Sequence, residues 1–198
     1  MKKLFAAIIT AFLAISCVFA DESTEVKQIV IRDFEYTGDC NFSKMLEAYS
    51  KDYIEIDVNG VRFTYHDCVL MRDFLEKGNA DAFLYLMVKV ELGRDPNAQE
   101  KRDLQKYAKT LEAKAAAKEA RTDMKDIVKK CASLNLKTLK FIDLDISDEN
   151  YARVIVEYSD YVEDDETMTK TKKVREIFDL RKENGVWKIY NNVDINIK

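Results

Sequence analysis

Polar and hydrophobic residues alternate along most of the last third of the chain. Four segments show this period of two: LKTLKFIDLDI (136–146), YARVIVEYSDYV (151–162), KTKKVREIFDLRK (170–182) and VWKIYNNVDINI (186–197). Short polar stretches separate them at 148–150, 163–166 and 183–185. Because alternating segments joined by short turns are typical of antiparallel strands, the pattern predicts a four-stranded meander.

The first segments of the chain follow a helical pattern instead. In residues 22–37 the apolar positions recur at helical spacing and Gly38 supplies a stop signal, so a helix is favoured over a strand across 28–31. Asn41 is a predicted N-cap, and the apolar stripe that follows it predicts a second helix extending to Ile54.

A hairpin and further helices are predicted next. Residues 54–66 alternate around Asn59-Gly60, a pair that favours a two-residue turn because both positions tolerate a positive φ. A short helix over 68–78 follows, and the pattern is helical again from 81 to 135 with a break near 93–96. Helices first and a meander last predict an α+β fold.

Residues 1–20, MKKLFAAIITAFLAISCVFA, have the pattern of a bacterial signal peptide. Lys2-Lys3 precede an apolar run of about twelve residues, shorter than the ~20 that a membrane span needs, and a cleavage site follows at 18–20. The sequence therefore predicts export to the periplasm or cell envelope, or secretion. In an alternative interpretation, residues 13–17 resemble a lipobox and Cys17 carries a lipid anchor.

Charge and composition exclude several classes of function. Removing residues 1–20 takes away two lysines and no acid, so the net charge falls from −4 to −6, and a nucleic-acid partner is not expected. The chain has a single histidine, His66, and no Cys-x-x-Cys or nucleotide-binding motif, so neither a metal site nor a cofactor is expected. The odd set Cys40, Cys68 and Cys131 is interpreted as small buried thiols, with no Cys40–Cys68 disulfide.

Two stretches, LEAYSKDYIEIDVNGVRFTYHD (46–67) and LRKENGVWKIYNNV (180–193), resemble the nuclear-transport-factor-like superfamily, with its polyketide-cyclase-like and cystatin-like cone folds. The resemblance implies N-terminal helices packed on a curved antiparallel sheet in one domain, residues 21–198, with a helical insertion at about 81–134. It also implies that Trp187 lies on the concave face and packs against the N-terminal helices. Because this fold supports enzymes, ligand carriers and interaction modules, it implies no single function.

Some polar residues interrupt the apolar faces of the predicted strands. Glu176, Asn191 and Asp143 each share a face with apolar side chains. A carboxyl on the concave face would be desolvated and could act as an acid or base, as the resemblance to isomerases and dehydratases of the superfamily implies. In the alternative interpretation, the face is open to solvent or a bulge shifts the register.

Two functional hypotheses follow. The first is an exported, non-catalytic binding or interaction module that binds a small apolar ligand, or binds a protein partner or a second copy through the helix at 97–131. Its predicted ligand-binding residues are aromatic: Tyr53, Phe63, Tyr65, Tyr158, Phe178 and Trp187. The second is a small isomerase- or dehydratase-like enzyme that uses Glu176 or Asp143; no residue is assigned as catalytic under the first hypothesis.

Overall fold

The structure, a computed structural model, describes residues 22–162 and 167–197. The predicted signal peptide, with Cys17, and the predicted turn at 163–166 lie outside these residues. In the described parts of the chain, helices and strands follow in the order α1 (22–38), α2 (Phe42–Ala48), β1 (Tyr49–Ile56), β2 (Arg62–Thr64), α3 (Tyr65–Lys77), α4 (Ala80–Leu92), α5 (Ala98–Tyr107), α6 (Leu111–Thr138), β3 (Lys140–Asp148), β4 (Tyr151–Tyr161), β5 (Thr171–Glu183) and β6 (Val186–Ile197).

The strands form one sheet in the order β2-β1-β6-β5-β4-β3. Strands β3 to β6 pair antiparallel with their sequence neighbours and form the predicted meander. Strand β1 pairs antiparallel with β2 and parallel with β6, so the sheet is mixed. The predicted α+β class, with helices packed on a curved sheet, is confirmed, and the parallel pairing of β1 is an addition to it.

The second predicted helix is shorter than the sequence pattern indicated. Asn41 caps α2 as predicted, since its side chain accepts a hydrogen bond from the Lys44 N–H, but the helix ends at Ala48. Tyr49 is already paired with β6, and its ring stacks on that of Tyr53 with centroids 4.1 Å apart. Sheet pairing and aromatic burial outweigh the local helical spacing here.

The turn between β1 and β2 also differs from the prediction. Only Gly60 has a positive φ, of 79°, so the loop is not the expected two-residue type. Asp57 organises a longer loop, because its Oδ1 accepts hydrogen bonds from the N–H groups of Asn59 and Val61 at 2.9 and 2.8 Å. The side chain of Asp57 therefore sets the turn, and the Asn-Gly pair alone does not.

The helical segment has a second break at 108–110, besides the one expected near 93–96. Asn97 caps α5 just after the expected break at 93–96, and Thr110 caps α6 after a second interruption. Helix α6 then continues to Thr138, so the first residues of the predicted strand, 136–138, are helical, and Leu139 is the C-cap of the helix. Helix α6 packs on β4 and on helices α3 and α4.

The core lies between the helices and one face of the sheet. It includes Val26 and Val30 from α1, Phe74 and Leu75 from α3, and Trp187 from β6, all with 2% exposure or less. The end of α1 approaches α6 closely, since a Cβ on Gly38 would lie 2.9 Å from the Cβ of Ala132. Thr37 and Ala132, on the two sides of this contact, both line the cavity described below.

Candidate functional site

A cavity of about 350 Å³ lies between the helices and the sheet. Much of its lining is apolar: Phe34, Phe42, Met45, Phe63, Met71, Leu86, Ile127, Val128 and Ala132. Five acidic residues also line it: Asp33, Glu55, Asp67, Glu176 and Asp194. Its volume is in the range of small-molecule sites, ~300–1,000 Å³.

Glu176 lies where the sequence pattern placed it. It shares the inner face of β5 with Val174 and Phe178, and only 6% of it is exposed. The Asn192 amide donates a hydrogen bond to its Oε1, and the Tyr158 hydroxyl also hydrogen-bonds it. Two neighbouring side chains, Asn192 and Tyr158, therefore hold the Glu176 carboxyl.

The residues of β6 that face the cavity are not the predicted alternate set along the whole strand. The pairing with β5 shifts between Ile189 and Asn191, which leaves Tyr190 as one extra residue in β6. Because one inserted residue reverses the faces, Asn192 and Asp194 line the cavity and Asn191 does not. The alternative interpretation of Asn191, a shifted register, is the correct one.

Asp143 does not line the cavity, so its assignment as a pocket carboxylate is wrong. The pairing of β3 with β4 shifts between Phe141 and Asp143, and this irregularity moves Asp143 to the exposed side. Its Oδ1 accepts a hydrogen bond from the N–H of Leu144 at 2.9 Å. Leu144 and Ile146 pack on the core instead.

The predicted aromatic residues divide between the cavity and its surroundings. Phe63 and Tyr158 line the cavity. Three others belong to the core and are not lining residues: Tyr53, Phe178 and Trp187. Tyr65 is the first residue of α3, outside the lining, and the Lys51 Nζ lies 4.0 Å from its ring centroid. The cavity is therefore open, and two of the six predicted contacts reach it.

Asp33 and Glu55 are held by tyrosines of β1. Burial raises the pKa of Asp33 to about 7, although a hydrogen bond with Tyr49 acts in the opposite direction. Glu55 accepts a hydrogen bond from the Tyr53 hydroxyl at 3.0 Å, and burial raises its pKa as well. Desolvation favours the neutral form of a carboxyl, so Asp33 carries a proton below about pH 7.

Glu176 and Asp194 form a second pair of carboxyls, on adjacent strands. They are directly opposite each other in the ladder of β5 and β6. Burial raises the pKa of Glu176, and the charge of Asp194 raises it further. Burial also raises the pKa of Asp194, to about 8, with Glu55 as the next contributor.

Asp67 differs from the other acidic residues because it has a cationic partner. Its Oδ2 lies 2.8 Å from the Lys89 Nζ, and both side chains are buried. The same oxygen accepts hydrogen bonds from the backbone N–H and the hydroxyl of Thr64, which caps α3. Asp67 therefore has a structural role at the start of α3 as well as a place in the cavity wall.

Six lining residues carry a buried oxygen that has no hydrogen-bond partner. These atoms are Asp33 Oδ1, Asp67 Oδ1, Asn135 Oδ1, Glu176 Oε2, Asn192 Oδ1 and Asp194 Oδ1. Every one is an amide or carboxyl oxygen. A buried polar atom without a partner costs free energy, so these oxygens mark the part of the cavity best suited to a polar group of a ligand.

Other sequence predictions concern cysteine, histidine, metal and membrane chemistry. Cys40, Cys68 and Cys131 are free thiols, and burial raises the pKa of Cys131 to about 11. His66 is exposed in the first turn of α3, and its ring lies 6.4 Å from that of Tyr85.

Within residues 22–162 and 167–197, no three His, Cys, Asp or Glu side chains are placed to bind one metal ion. None of the helices in those ranges is long and apolar enough to cross a membrane.

A comparison with protein-family models gave no match, and a comparison with curated proteins gave none either. Among solved structures, the chain is similar to an NTF-2 like protein of unknown function from Shewanella oneidensis MR-1, at 11% identity and a TM-score of 0.43 over 88% of this chain and 98% of that one. It is also similar to a ketosteroid isomerase-like protein from Erwinia carotovora atroseptica SCRI1043, at 10% identity and a TM-score of 0.46. That match covers 89% of this chain and 97% of the other. A third similar structure is an uncharacterized protein with a cystatin-like fold from Caulobacter vibrioides, at 10% identity and a TM-score of 0.45. That match covers 89% of this chain and 91% of the other.

These neighbours carry the names of the superfamily that the sequence resembles. Their identities and TM-scores carry no conclusion about a ligand or an activity.

Proposed function

We propose that this protein is an exported, non-catalytic binding protein that holds a small, mostly apolar ligand in its cavity, in the periplasm or cell envelope. The observation that carries the proposal is the cavity of about 350 Å³, which combines an apolar part of the wall with a part lined by carboxyl and amide groups. Apolar walls supply binding free energy, and a few convergent polar groups orient the ligand. The pattern of residues 1–20 supports export.

Filling the cavity is the direct test of ligand binding. Val128 lines the cavity from α6 and is partly exposed, so a Val128→Phe side chain has space to extend inward. We expect this variant to bind the neutral apolar fluorophore N-phenyl-1-naphthylamine at least about tenfold more weakly than the wild type, which corresponds to ~1.4 kcal/mol. The measurement is a fluorescence titration of the purified protein.

A matched substitution elsewhere on the helical layer controls for surface effects. Val90 on α4 is 55% exposed and is not among the residues that line the cavity, so Val90→Phe makes the same chemical change outside the site. It should bind the fluorophore like the wild type. Equal binding by a folded Val128→Phe protein would show that the cavity is not the binding site.

A second candidate function is an acid–base enzyme centred on Glu176. The specific observation in its favour is that Asn192 and Tyr158 hold this carboxyl, whose pKa burial raises, inside the cavity. A carboxyl with a raised pKa and fixed orientation suits proton transfer, as in isomerisation or dehydration.

Glu176→Gln separates the two candidates. Gln keeps the shape of the side chain and cannot transfer a proton, so an enzyme would lose at least about 100-fold of its turnover. For the binding protein we expect no turnover above background in a screen of isomerase, dehydratase and ester-hydrolysis substrates. Turnover that disappears in Glu176→Gln but persists in Asp143→Asn, whose carboxyl is exposed, would establish the enzyme.

A further inference from the structure

We infer that the cavity binds an organic ammonium ion, that is, a protonated primary amine attached to a small apolar body. This inference rests on the proposed function, because it names the class of ligand that the cavity would hold. It is based on the hydrogen-bonding groups of the cavity wall, which are strongly unbalanced between acceptors and donors.

The unpartnered polar atoms of the wall are all acceptors when the carboxyls are ionised. Five of the six belong to residues that are at least nine-tenths buried: Asp33, Asp67, Asn135, Glu176 and Asn192, with 7%, 2%, 7%, 6% and 4% exposure. A primary ammonium group offers three N–H donors and no acceptor, so it matches such a wall. An alcohol offers one donor and also brings an oxygen that needs donors of its own.

The charge of the wall points to the same class of ligand. No Lys, Arg or His is among the described residues that line the cavity. The partners of three carboxyls are neutral, namely Tyr49 for Asp33, Tyr53 for Glu55, and Asn192 with Tyr158 for Glu176. A buried cation would be attracted by these carboxyls in their ionised form, whereas an anionic ligand would be repelled.

The protein already places one ammonium group at the edge of this wall. Lys89 Nζ lies 2.8 Å from Asp67 Oδ2 and 5.5 Å from the ring centroid of Phe63. Asp67 and Phe63 line the cavity, whereas Lys89 does not. The combination of a carboxylate and an aromatic face is a favourable environment for an ammonium ion. Phe34 and Tyr158, which meet edge to face at 5.1 Å, provide aromatic surface near Glu176.

The bound cation would change the protonation of the cavity. Titratable or charged groups on the packed elements are Asp33 (α1), Tyr49, Tyr53 and Glu55 (β1), Asp57 (the β1–β2 turn), Asp67 and Cys68 (α3), Lys89 (α4), Cys131 (α6), Tyr158 and Asp160 (β4), Lys172 and Glu176 (β5), and Asp194 (β6). Burial raises the pKa of Asp33 to about 7 and that of Asp194 to about 8. Ammonium binding favours the carboxylates, so a carboxyl O–H bond breaks, its proton leaves to solvent, and the ligand keeps its own proton.

The test compares amines with alcohols of the same shape by calorimetric titration of the purified protein. The pairs are benzylamine with benzyl alcohol, 2-phenylethylamine with 2-phenylethanol, and hexylamine with hexanol, at pH 8 and pH 5.5. At pH 8 we expect an amine to bind about 10- to 100-fold more tightly than its alcohol, with proton release detected in buffers of different ionisation enthalpy. At pH 5.5 the amine should bind more weakly, while the alcohol should bind equally at both values.

Conservative variants locate the contacts. Asp33→Asn, Glu176→Gln and Asp194→Asn should each weaken amine binding about tenfold or more at pH 8 and leave alcohol binding within about threefold. Asp143→Asn, with its carboxyl outside the cavity, should leave amine binding unchanged. The comparison of amine with alcohol in the wild type remains decisive even where a variant fails to fold.

The outcomes separate this inference from the proposed function. Alcohols that bind as tightly as amines at pH 8, or amine binding that is unaffected in all three cavity variants, would overturn the ammonium inference. The binding proposal would then stand on the fluorophore experiment with Val128→Phe. If neither the probes nor the fluorophore bind in the cavity, both are overturned.

Discussion

Raising the pH from 5 to 7 is expected to lower the free energy of unfolding by about 2 kcal/mol through Asp33 alone. Its pKa is about 7 in the folded protein and 3.8 in the absence of burial. Between these two values the folded protein keeps a proton that the unfolded chain has lost. The contribution of Asp33 to the free energy of unfolding is therefore fully present below about pH 4 and is lost as the pH rises through 7.

Glu176 and Asp194 act in the same direction. Burial raises the pKa of both, so each also binds a proton more tightly in the folded state. Asp194, with a pKa of about 8, extends the loss of stability to the alkaline side of neutrality. The three groups together predict a protein that is more stable at pH 5 than at pH 8.

Carboxylates with lowered pKa values oppose this trend only in more acidic solution. Hydrogen bonds from Arg94 lower the pKa of Glu100 to about 2, and a hydrogen bond from Lys89 lowers that of Asp95. The contribution of these two carboxylates to the free energy of unfolding is present above the pKa of the unfolded chain. It is lost as the pH falls through the pKa of the folded protein. The window from pH 5 to pH 8 is therefore governed by the buried cavity carboxyls.

Urea unfolding at pH 5, 6, 7 and 8 measures the trend. Asp33→Asn should flatten it, because the amide has no proton to lose, whereas Asp143→Asn should reproduce the wild-type slope. A wild-type stability that rises from pH 5 to pH 8 would show that Asp33, Glu176 and Asp194 are ionised without penalty. The pH dependence predicted for amine binding would then lose its basis as well.

The alternation of residues predicted the face of Glu176 because β5 is regular around that position. The same reasoning failed for Asp143 and Asn191, since irregular pairing in β3 and β6 reverses which side chains point inward. A bulge depends on the partner strand, so a single sequence does not show where it occurs. Asn192 and Asp194 were missed for this reason.

Asp33 could have been found from the sequence. It follows Val30 by three positions on the apolar side of α1, and both residues are buried. A carboxyl at such a position predicts a desolvated acid in the same way as Glu176 does on its strand. Glu55 gave no such signal, because most of β1 was predicted to be helical, its last residues were predicted to begin a hairpin, and the pairing of β1 with β6 was not foreseen.

Trp187→Ala is expected to lower the free energy of unfolding by about 3–5 kcal/mol, the range for deleting a large buried aromatic side chain. Trp187 is 1% exposed in the core. The Lys182 Nζ lies 4.9 Å from its ring and also forms an ion pair with Glu22 of α1, so the start of α1 covers this end of the sheet. The substitution would therefore leave a void under the first helix.

Its neighbour on the opposite face of β6 supplies the control. Val186 is 52% exposed, and Val186→Ala should cost less than about 1 kcal/mol, as is usual for a surface change. The wild-type tryptophan should emit at short wavelength and resist quenching by iodide, because solvent does not reach it. A loss below about 1 kcal/mol in Trp187→Ala, with emission typical of exposed tryptophan, would contradict the packing of α1 on the sheet. It would also remove the wall that places Asp33 in the cavity, since that residue is carried by the same helix.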